Sequence, residues 1–392
     1  MTEIYFDNSA TTRTSEEVLA VYVKEASENY GNPSSRHARG QAAAAALSAA
    51  RKKLLAALGA KGGHLIFTAG GTEANNLALF GRAYAKERFA KGGRIITTRG
   101  EHSSVSLPLE MLAKEGFDIV EIPTVGGVLD MAALMAALTP KTVLISLMAV
   151  NNETGALYTT AKVAALAKRV APDAVLHVDA TQAFMKIPMT PASLGADMIT
   201  LSSHKIEGPK GVGALWVSDA IIKNRGLSAL IYGGGQEEGL RAGTENAPAV
   251  CAFAEAARIA SESFETRIER ILAVREHLLS QLSAHPVLSE AVTVNLPKEG
   301  SAPHILSLTV NGFKSETVQN DLSARGIYVS SGSACSSHAR NLSRALLAFG
   351  KTESETDATV RLSFSHHNTP GEADAFVSAL AEIVTTRARM RK

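Results

Sequence analysis

Short apolar segments rich in β-branched residues alternate with helix-length segments between about residues 64 and 217. The apolar segments occupy residues 64–68, 94–97, 119–122, 143–147, 175–178 and 198–201. Continuously apolar strands are typical of parallel sheets, because helices cover both faces of such a sheet. The alternation therefore predicts an α/β protein built on a mostly parallel sheet.

The C-terminal part of the chain predicts a second, smaller unit. Apolar residues recur at three- and four-residue steps through about 249–285, which predicts one long helix that links two domains. Three further strand-like segments follow, at 305–310, 326–329 and 360–364. We expect a large domain at residues 16–252 and a small α+β domain that combines residues 1–15 with residues 253–392.

Charge and cysteine content exclude several classes of protein. The 392 residues carry 40 Lys and Arg against 38 Asp and Glu, so a formal charge of +2 gives no reason to expect nucleic acid or a membrane as the main partner. No apolar run reaches the roughly 18 residues of a membrane span. Two cysteines cannot form a disulfide framework, and residues 1–7 lack a signal-peptide pattern. We therefore expect a cytoplasmic protein.

Four predicted strand ends carry polar residues that suggest a binding site. The first is the segment 70–76 (GGTEANN), where glycines lead from a strand into a helix. The free amides of such a helix start and the Thr72 hydroxyl could bind a phosphate, although an ordinary helix cap is an equally good interpretation. The second is Asp179, whose carboxylate needs a cationic partner if it is buried at a strand end, or else caps the next helix.

The third and fourth strand ends carry a lysine and a histidine. Lys205 leaves a strand into a Gly/Pro turn, and a desolvated lysine can form an imine. Ser202 and His204 beside it suit a phosphate, and Lys210 is the rival lysine. His102 follows another strand and could stack on an aromatic cofactor or carry protons, or could be structural. Together these groups predict a site for pyridoxal 5′-phosphate, and we predict no metal site.

The order of the motifs resembles that of cysteine desulfurases of the NifS/IscS type, in the class V aminotransferase family. The matching segments are 7–12 (DNSATT), 70–76 (GGTEANN), 101–102 (EH), 151–155 (NNETG), 179–182 (DATQ), 202–205 (SSHK), 241–246 (RAGTEN) and 330–335 (SSGSAC). They cover almost the whole chain. The resemblance implies the fold of type I pyridoxal-phosphate enzymes.

The resemblance also implies a role for each matching residue. Lys205 is expected to bind the cofactor covalently, and His102 is expected to stack on the ring and handle protons. Asp179 and Gln182 are expected to contact the ring nitrogen and ring oxygen. The expected phosphate ligands are Gly71, Thr72, Ser202, Ser203, His204 and, from the other subunit of a homodimer, Thr244. The expected substrate contacts are Asn8, Asn152 and Arg361, and the Arg361 guanidinium is suited to grip an α-carboxylate.

Cys335 lies in the segment 330–337 (SSGSACSS), whose composition is that of a loop, whereas Cys251 lies among apolar residues of a predicted helix. Similar enzymes convert L-cysteine to L-alanine and take the sulfur as a persulfide on the loop cysteine. The thiolate must form first. His102 and the substrate thiol are both candidates for the base that forms it.

Some features depart from the family pattern. The residues after Cys335 (SSHARNL, 336–342) replace the usual Glu-Pro-containing stretch, which leaves the sulfur-acceptor protein open. An iron–sulfur cluster would contact Cys335 only in a scaffold complex. Met185 stands where glycine is common and Glu207 where tyrosine is common, and we expect neither to change the reaction. The alternatives are a selenocysteine lyase, a class V aminotransferase, or a dimeric docking platform without activity.

Overall fold

The computed structural model describes residues 3–85, 92–331 and 342–390. The strands are β1 (Ile4–Tyr5), β2 (His64–Thr68), β3 (Arg94–Thr98), β4 (Asp118–Ile122), β5 (Thr142–Met148), β6 (Val175–Asp179), β7 (Met198–Ser202), β8 (Gly213–Val217), β9 (Val292–Val294), β10 (Ile305–Val310), β11 (Ile327–Tyr328) and β12 (Thr359–Ser363). Among the described residues, no helix is both long enough and apolar enough to cross a bilayer.

The helices alternate with these strands. They are α1 (Glu16–Glu28), α2 (Ala38–Ala57), α3 (Gly71–Tyr84), α4 (Ser103–Lys114), α5 (Met131–Ala137), α6 (Thr160–Val170), α7 (Pro191–Leu194), α8 (Asp219–Lys223), α9 (Ala247–Glu262), α10 (Phe264–Ala284), α11 (Leu288–Ala291), α12 (Ser315–Ser323), α13 (Arg344–Phe349), α14 (Glu353–Asp357) and α15 (Pro370–Met390).

The large sheet has the strand order β2-β8-β7-β6-β5-β3-β4, in which β8 alone runs antiparallel to its neighbours. The expectation of a mostly parallel sheet is therefore confirmed. Successive residues of one strand enter different cores: Leu65 and Phe67 pack with α2, α6 and α9, whereas Ile66 packs with α3 and α4. This alternation shows that helices cover both faces, which explains the continuously apolar strand sequences.

A separate core forms around the antiparallel sheet β12-β10-β9 and helices α10, α12 and α15. The N-terminal segment joins it, since β1 pairs in parallel with β11 and Phe6 is fully buried in this core. The predicted domain boundary at residue 252 remains a prediction. We propose that the boundary lies nearer Ser263, because α9 packs on the large sheet and α10 belongs to the small core.

The predicted single helix over 249–285 is wrong, because Ser263 separates α9 from α10. Ser263 has φ −107° and ψ 16°, which is not a helical conformation. Its hydroxyl donates to the Ile259 carbonyl (2.6 Å) and accepts from Arg267 Nε (2.8 Å). Such side-chain hydrogen bonds compete with the helical backbone hydrogen bonds. The periodicity of apolar residues does not reveal them, so it could not predict the break.

Candidate active site

Four polar segments meet at one edge of the large sheet. Strands β2, β3, β6 and β7 run in the same direction, so their carboxyl ends lie at the same edge. The segments that leave these ends carry Gly71, His102, Asp179 and Lys205. Ligands of α/β proteins bind outside the carboxyl ends of the strands. This edge, where these four residues lie, is therefore the candidate site.

Lys205 ends a 3-10 turn, Ser203–Lys205, directly after β7. Its Nζ donates to the backbone carbonyls of Ser9 (2.6 Å) and Ala10 (2.8 Å). Gln182 Nε2 donates to the same Ser9 carbonyl (2.8 Å), so Lys205 and Gln182 lie side by side. The rival, Lys210, is exposed. The half-buried setting that suits a reactive amine therefore belongs to Lys205.

Asp179 is buried at the end of β6 and has neutral hydrogen-bond donors. The Thr181 amide donates to its Oδ1 (2.9 Å), and Asn75 Nδ2 donates to its Oδ2 (2.8 Å). Asn75 lies on α3 and also donates to the Ser104 hydroxyl (2.8 Å). Two neutral donors orient the carboxylate without neutralising its charge. Asp179 could therefore pair with a protonated ring nitrogen.

His102 is the N-cap of α4, and its ring is fixed from one side. Its Nδ1 accepts from the Ser104 amide (3.1 Å) and lies 2.8 Å from the Ser104 hydroxyl. Because an N–H donates to Nδ1, the neutral ring carries its proton on Nε2. Burial lowers the pKa of His102, the Lys205 charge lowers it further, and Asp179 acts in the opposite direction. The ring is therefore a neutral group with Nε2 available for proton transfer.

The start of α3 is the place where the sequence predicts a phosphate site. Gly70 is the N-cap residue of α3 and has no side chain that could bond the first helical amides. Within the described part of the chain, these amides are therefore left for a ligand. A Cβ at Gly71 would lie 3.2 Å from Thr181 Oγ1 and 3.4 Å from Ser202 Cβ, so a side chain here would fill the cradle. The buried hydroxyls of Ser202 and Ser203 have no hydrogen-bond partner within the described part of the chain.

A cavity of about 890 Å³ opens at this cradle. Its lining residues include Thr11, Gly71, Thr72, Ser202, His204, Lys210 and Arg241. His204 Nδ1 lies 3.1 Å from Thr11 Oγ1, and burial, with the charges of Lys205 and Lys210, lowers the pKa of His204 to about 4. Unpartnered hydroxyls, free helix amides and a small-residue cradle are the groups that bind a phosphate ester. The residues present therefore fit pyridoxal phosphate.

Arg361 is buried on β12 and lies close to both other predicted substrate contacts. Its Nη1 donates to the Asn152 carbonyl (2.9 Å), and its Nη2 donates to Asp7 Oδ1 (2.8 Å). Asn8 Nδ2 donates to the Ser363 carbonyl two residues along the same strand (3.0 Å). Arg361 Nε is buried without a partner among the described residues. The guanidinium is thus held in place by the protein and keeps a donor for a ligand.

The described residues on both sides of segment 332–341, which includes Cys335, are hydrogen-bonded near Arg361. On one side of this segment, the Arg361 amide donates to the Ser330 carbonyl (2.8 Å). On the other side, the Ser343 hydroxyl donates to Glu153 Oε2 (2.6 Å), and Glu153 follows Asn152 in the chain. Cys335 itself lies outside the described residues. Cys251 is buried on α9, where burial raises the pKa of its thiol to about 12.

Sequence reasoning did not assign roles to several residues that shape the site. Asn75, Ser104 and Asp7 hold Asp179, His102 and Arg361, respectively. A weak signal existed, because Asn75 is a polar residue on the buried side of a helix. Thr244 is exposed and is not among the residues that line the cavity of its own chain.

Known proteins match this chain over nearly its full length. A model of the family described as aminotransferase class-V matches residues 4–376. A NifS/IcsS protein homolog of Lactobacillus delbrueckii subsp. bulgaricus is 38% identical over 383 residues, which cover 97% of each chain. Cysteine desulfurase IscS 1 of Archaeoglobus fulgidus is 34% identical over 381 residues, 97% of this chain and 96% of that protein.

The solved structure of a NifS-like protein superposes with a TM-score of 0.89 at 33% sequence identity, covering 98% of this chain and all of the other. The expected fold of type I pyridoxal-phosphate enzymes is thereby confirmed. The chain belongs to the class V aminotransferase family and, within it, to the cysteine desulfurases of the NifS/IscS type.

Proposed function

We propose that this protein is a pyridoxal-phosphate-dependent cysteine desulfurase that converts L-cysteine to L-alanine and takes the sulfur as a persulfide on Cys335. The single observation that carries the proposal is the position of the described residues that flank segment 332–341. Ser330 pairs with Arg361, and Ser343 bonds Glu153 next to Asn152. Cys335 is five residues from Ser330, and an extended chain spans about 3.3–3.6 Å per residue, so its thiol can reach a substrate held by Arg361.

Three kinds of contact would hold the cofactor: a covalent bond, contacts to its ring and contacts to its phosphate. Lys205 would bind it covalently, Asp179 would pair with its ring nitrogen and Gln182 would contact its ring oxygen. The phosphate would lie at Gly71, Thr72, Ser202, Ser203 and His204, with Thr244 supplied by the partner of a homodimer. When bound, pyridoxal phosphate supplies an electron sink that stabilises negative charge at the substrate Cα.

The protein's own groups position the substrate and move its proton. Arg361, with Asn8 and Asn152 beside it, would bind the α-carboxylate of L-cysteine through charge-assisted hydrogen bonds. Lys205 Nζ would take the proton from Cα, and its two carbonyl partners, Ser9 and Ala10, hold the amine in the site. His102, neutral and protonated on Nε2, would hold a proton next to the reacting atoms.

Sulfur transfer then needs one nucleophile. The Cys335 thiolate would attack the substrate sulfur, so that an S–S bond forms and the substrate C–S bond breaks. The electron pair of the broken bond would go to the substrate Cβ, which takes up a proton. A proton would also return to Cα, from which Lys205 removed one, and the product would leave as L-alanine. Cys251 is unsuited to this step because burial keeps its thiol protonated.

The persulfide would pass to an acceptor protein in the reducing cytoplasm. Iron–sulfur cluster assembly, tRNA thiolation and thiocofactor synthesis all require such a donor, and we propose no choice among them. Contact between Cys335 and an iron–sulfur cluster would occur only in a complex with a scaffold protein. The formal charge of +2 gives no support for nucleic acid or a membrane as partner.

The test is alanine formation from L-cysteine without any keto-acid acceptor. We expect wild type and Cys251→Ala to form alanine, and Cys335→Ala to bind the cofactor yet form almost none. Alanine that appears only with a keto acid would indicate an aminotransferase. Turnover of selenocysteine but not cysteine would indicate a selenocysteine lyase. Absence of bound-cofactor absorbance in the wild type would support a docking platform.

A further inference from the structure

Three metal-ligating side chains from two distant parts of the sequence converge outside the cofactor site. Glu207 lies two residues after Lys205, whereas His366 and His367 follow β12. Glu207 Oε1 is 3.3 Å from His366 Nδ1 and 3.5 Å from His367 Nε2. The two imidazole rings lie next to each other, with centroids 3.9 Å apart and ring planes inclined by 40°. The described residues thus place one carboxylate and two imidazoles around a single point.

The two distances from Glu207 Oε1 to the histidine nitrogens match the spacing of ligands around a small tetrahedral ion. Zinc binds imidazole nitrogen and carboxylate oxygen at about 2.0–2.2 Å, so two ligands of one tetrahedral ion are roughly 3.3 Å apart. The two measured distances from Glu207 Oε1 have this value to within a few tenths of an ångström, and all three ligand atoms lie within 4.8 Å of one another.

The surroundings hold the carboxylate and leave one side open. Arg267 Nη1 lies 3.3 Å from Glu207 Oε2, the oxygen that the histidines do not contact, and so orients the group as outer-shell partners of metal ligands do. The side chains of Glu207 and His366 are 9% and 13% exposed, whereas that of His367 is 70% exposed. An ion would therefore enter past His367, and water could complete its coordination.

Two nearby positive charges oppose a bound cation. Arg267 contacts Glu207, and the buried Lys186 interacts electrostatically with the same carboxylate. A site with a single carboxylate beside two cations offers little to Mg²⁺ or Ca²⁺, which bind through several oxygens. Imidazole ligands favour Zn²⁺, Ni²⁺, Co²⁺ and Cu²⁺ instead.

We propose that Glu207, His366 and His367 form a binding site for a divalent transition-metal ion of the Zn²⁺ class, with an open coordination position. The site joins the turn of Lys205 to the segment that follows the Arg361 strand. A bound ion therefore links two chain segments that each carry a residue of the cofactor or substrate site, and it raises the thermal stability of the protein. The proposal does not depend on the desulfurase reaction.

The experiment measures Zn²⁺ binding to untagged, cofactor-loaded protein by equilibrium dialysis, with Cys335→Ala as the parent so that the Cys335 thiol cannot bind the ion. Co²⁺ serves as a second probe, because its visible spectrum reports coordination by nitrogen and oxygen. The variants are His366→Ala and His367→Ala. Because the His367 side chain is exposed, we expect His367→Ala to fold as the parent does. The control is His277→Ala. Like the site histidines, His277 contacts a carboxylate, since its Nε2 lies 2.7 Å from Asp374 Oδ1.

We expect one ion per chain, an increase in melting temperature with Zn²⁺, and a loss of affinity of at least about tenfold in His366→Ala and in His367→Ala. Mg²⁺ should have no effect, and His277→Ala should bind as the parent does. No binding to the parent, or equal affinity in the parent and in both site variants, would overturn the proposal. The cluster would then be an ion-pair and hydrogen-bond group only.

Discussion

Two buried carboxyl groups at the same sheet edge differ in what their oxygens contact. Both oxygens of Asp179 accept hydrogen bonds, from Thr181 and Asn75. Glu101 Oε1 accepts from the Thr98 hydroxyl (2.7 Å) and the Met148 amide (3.2 Å), but its Oε2 is buried without a partner among the described residues. Burial raises the pKa of Glu101 to about 8, so this carboxyl group keeps its proton at neutral pH.

The Glu101 proton predicts a pH-dependent stability. In the unfolded chain glutamate ionises near pH 4.5, whereas folded Glu101 holds its proton until about pH 8. The contribution of Glu101 to the free energy of unfolding is therefore fully present below pH 4.5 and is lost as the pH rises through 8. Glu101→Gln removes this loss. At pH 8 we expect the variant apoprotein to have a higher melting temperature and a free energy of unfolding that is larger by on the order of 1–3 kcal/mol. At pH 5 we expect both quantities to change little.

The control for this prediction is Glu110→Gln. Glu110 is exposed on α4, so its substitution should leave the melting temperature nearly unchanged at both pH values. An equal effect of Glu101→Gln at pH 5 and pH 8 would show that the folded protein ionises Glu101 as the unfolded chain does.

At the scale of single elements, the space in front of α3 depends on the absence of a side chain at Gly71. Helical backbone accommodates alanine, so Gly71→Ala should leave the apoprotein fold intact. Its Cβ would, however, crowd Thr181 Oγ1 and Ser202 Cβ at 3.2 Å and 3.4 Å. We expect the dissociation constant of pyridoxal phosphate to rise about tenfold, which corresponds to roughly 1.4 kcal/mol. Absorbance titration of the apoprotein measures this constant.

Gly235→Ala is the matched control for Gly71→Ala. A Cβ at Gly235 would meet nothing within 4 Å among the described residues, so cofactor affinity should be unchanged. Equal affinity in wild type and Gly71→Ala would mean that the phosphate does not lie at the start of α3.

Elements with strong local patterns could be predicted from the sequence, and their breaks could not. The apolar segments gave the strands of the parallel sheet because a doubly covered sheet demands apolar residues on both faces. The break at Ser263 was missed because it depends on bonds of one hydroxyl to Ile259 and Arg267. Strand β9 was also missed, since three residues at a sheet edge carry little pattern.

At the scale of the whole molecule, the site combines residues from the two ends of the chain. Arg361 bonds Asp7, 354 positions away in sequence, and Ser363 bonds the Ser9 amide (2.8 Å). Local sequence cannot predict such contacts, because they depend on how the N-terminal segment lies along β12. The motif order indicated that these residues share a site, but it did not indicate that Asp7 holds the guanidinium or that Glu207 meets two histidines.

The role of Thr244 can be tested with mixed dimers. If Thr244 reaches the phosphate of the partner subunit, Thr244→Ala should weaken cofactor binding and Lys205→Ala should abolish the reducible lysine adduct. An exchanged mixture of the two variants then contains a dimer with one intact site, and roughly a quarter of all sites should regain wild-type affinity. Absence of any recovery, in a mixture shown to contain mixed dimers, would place Thr244 in its own subunit's site or outside both.

The central claim is that Cys335 takes the sulfur of L-cysteine. The most direct measurement is mass spectrometry of the cysteine-containing peptides after one turnover with cysteine that carries isotopically labelled sulfur. We predict that the Cys335 peptide gains one labelled sulfur atom, that the Cys251 peptide gains none, and that alanine forms in equal amount. Alanine formation with the label on Cys251, or with no label on either cysteine, would contradict the account.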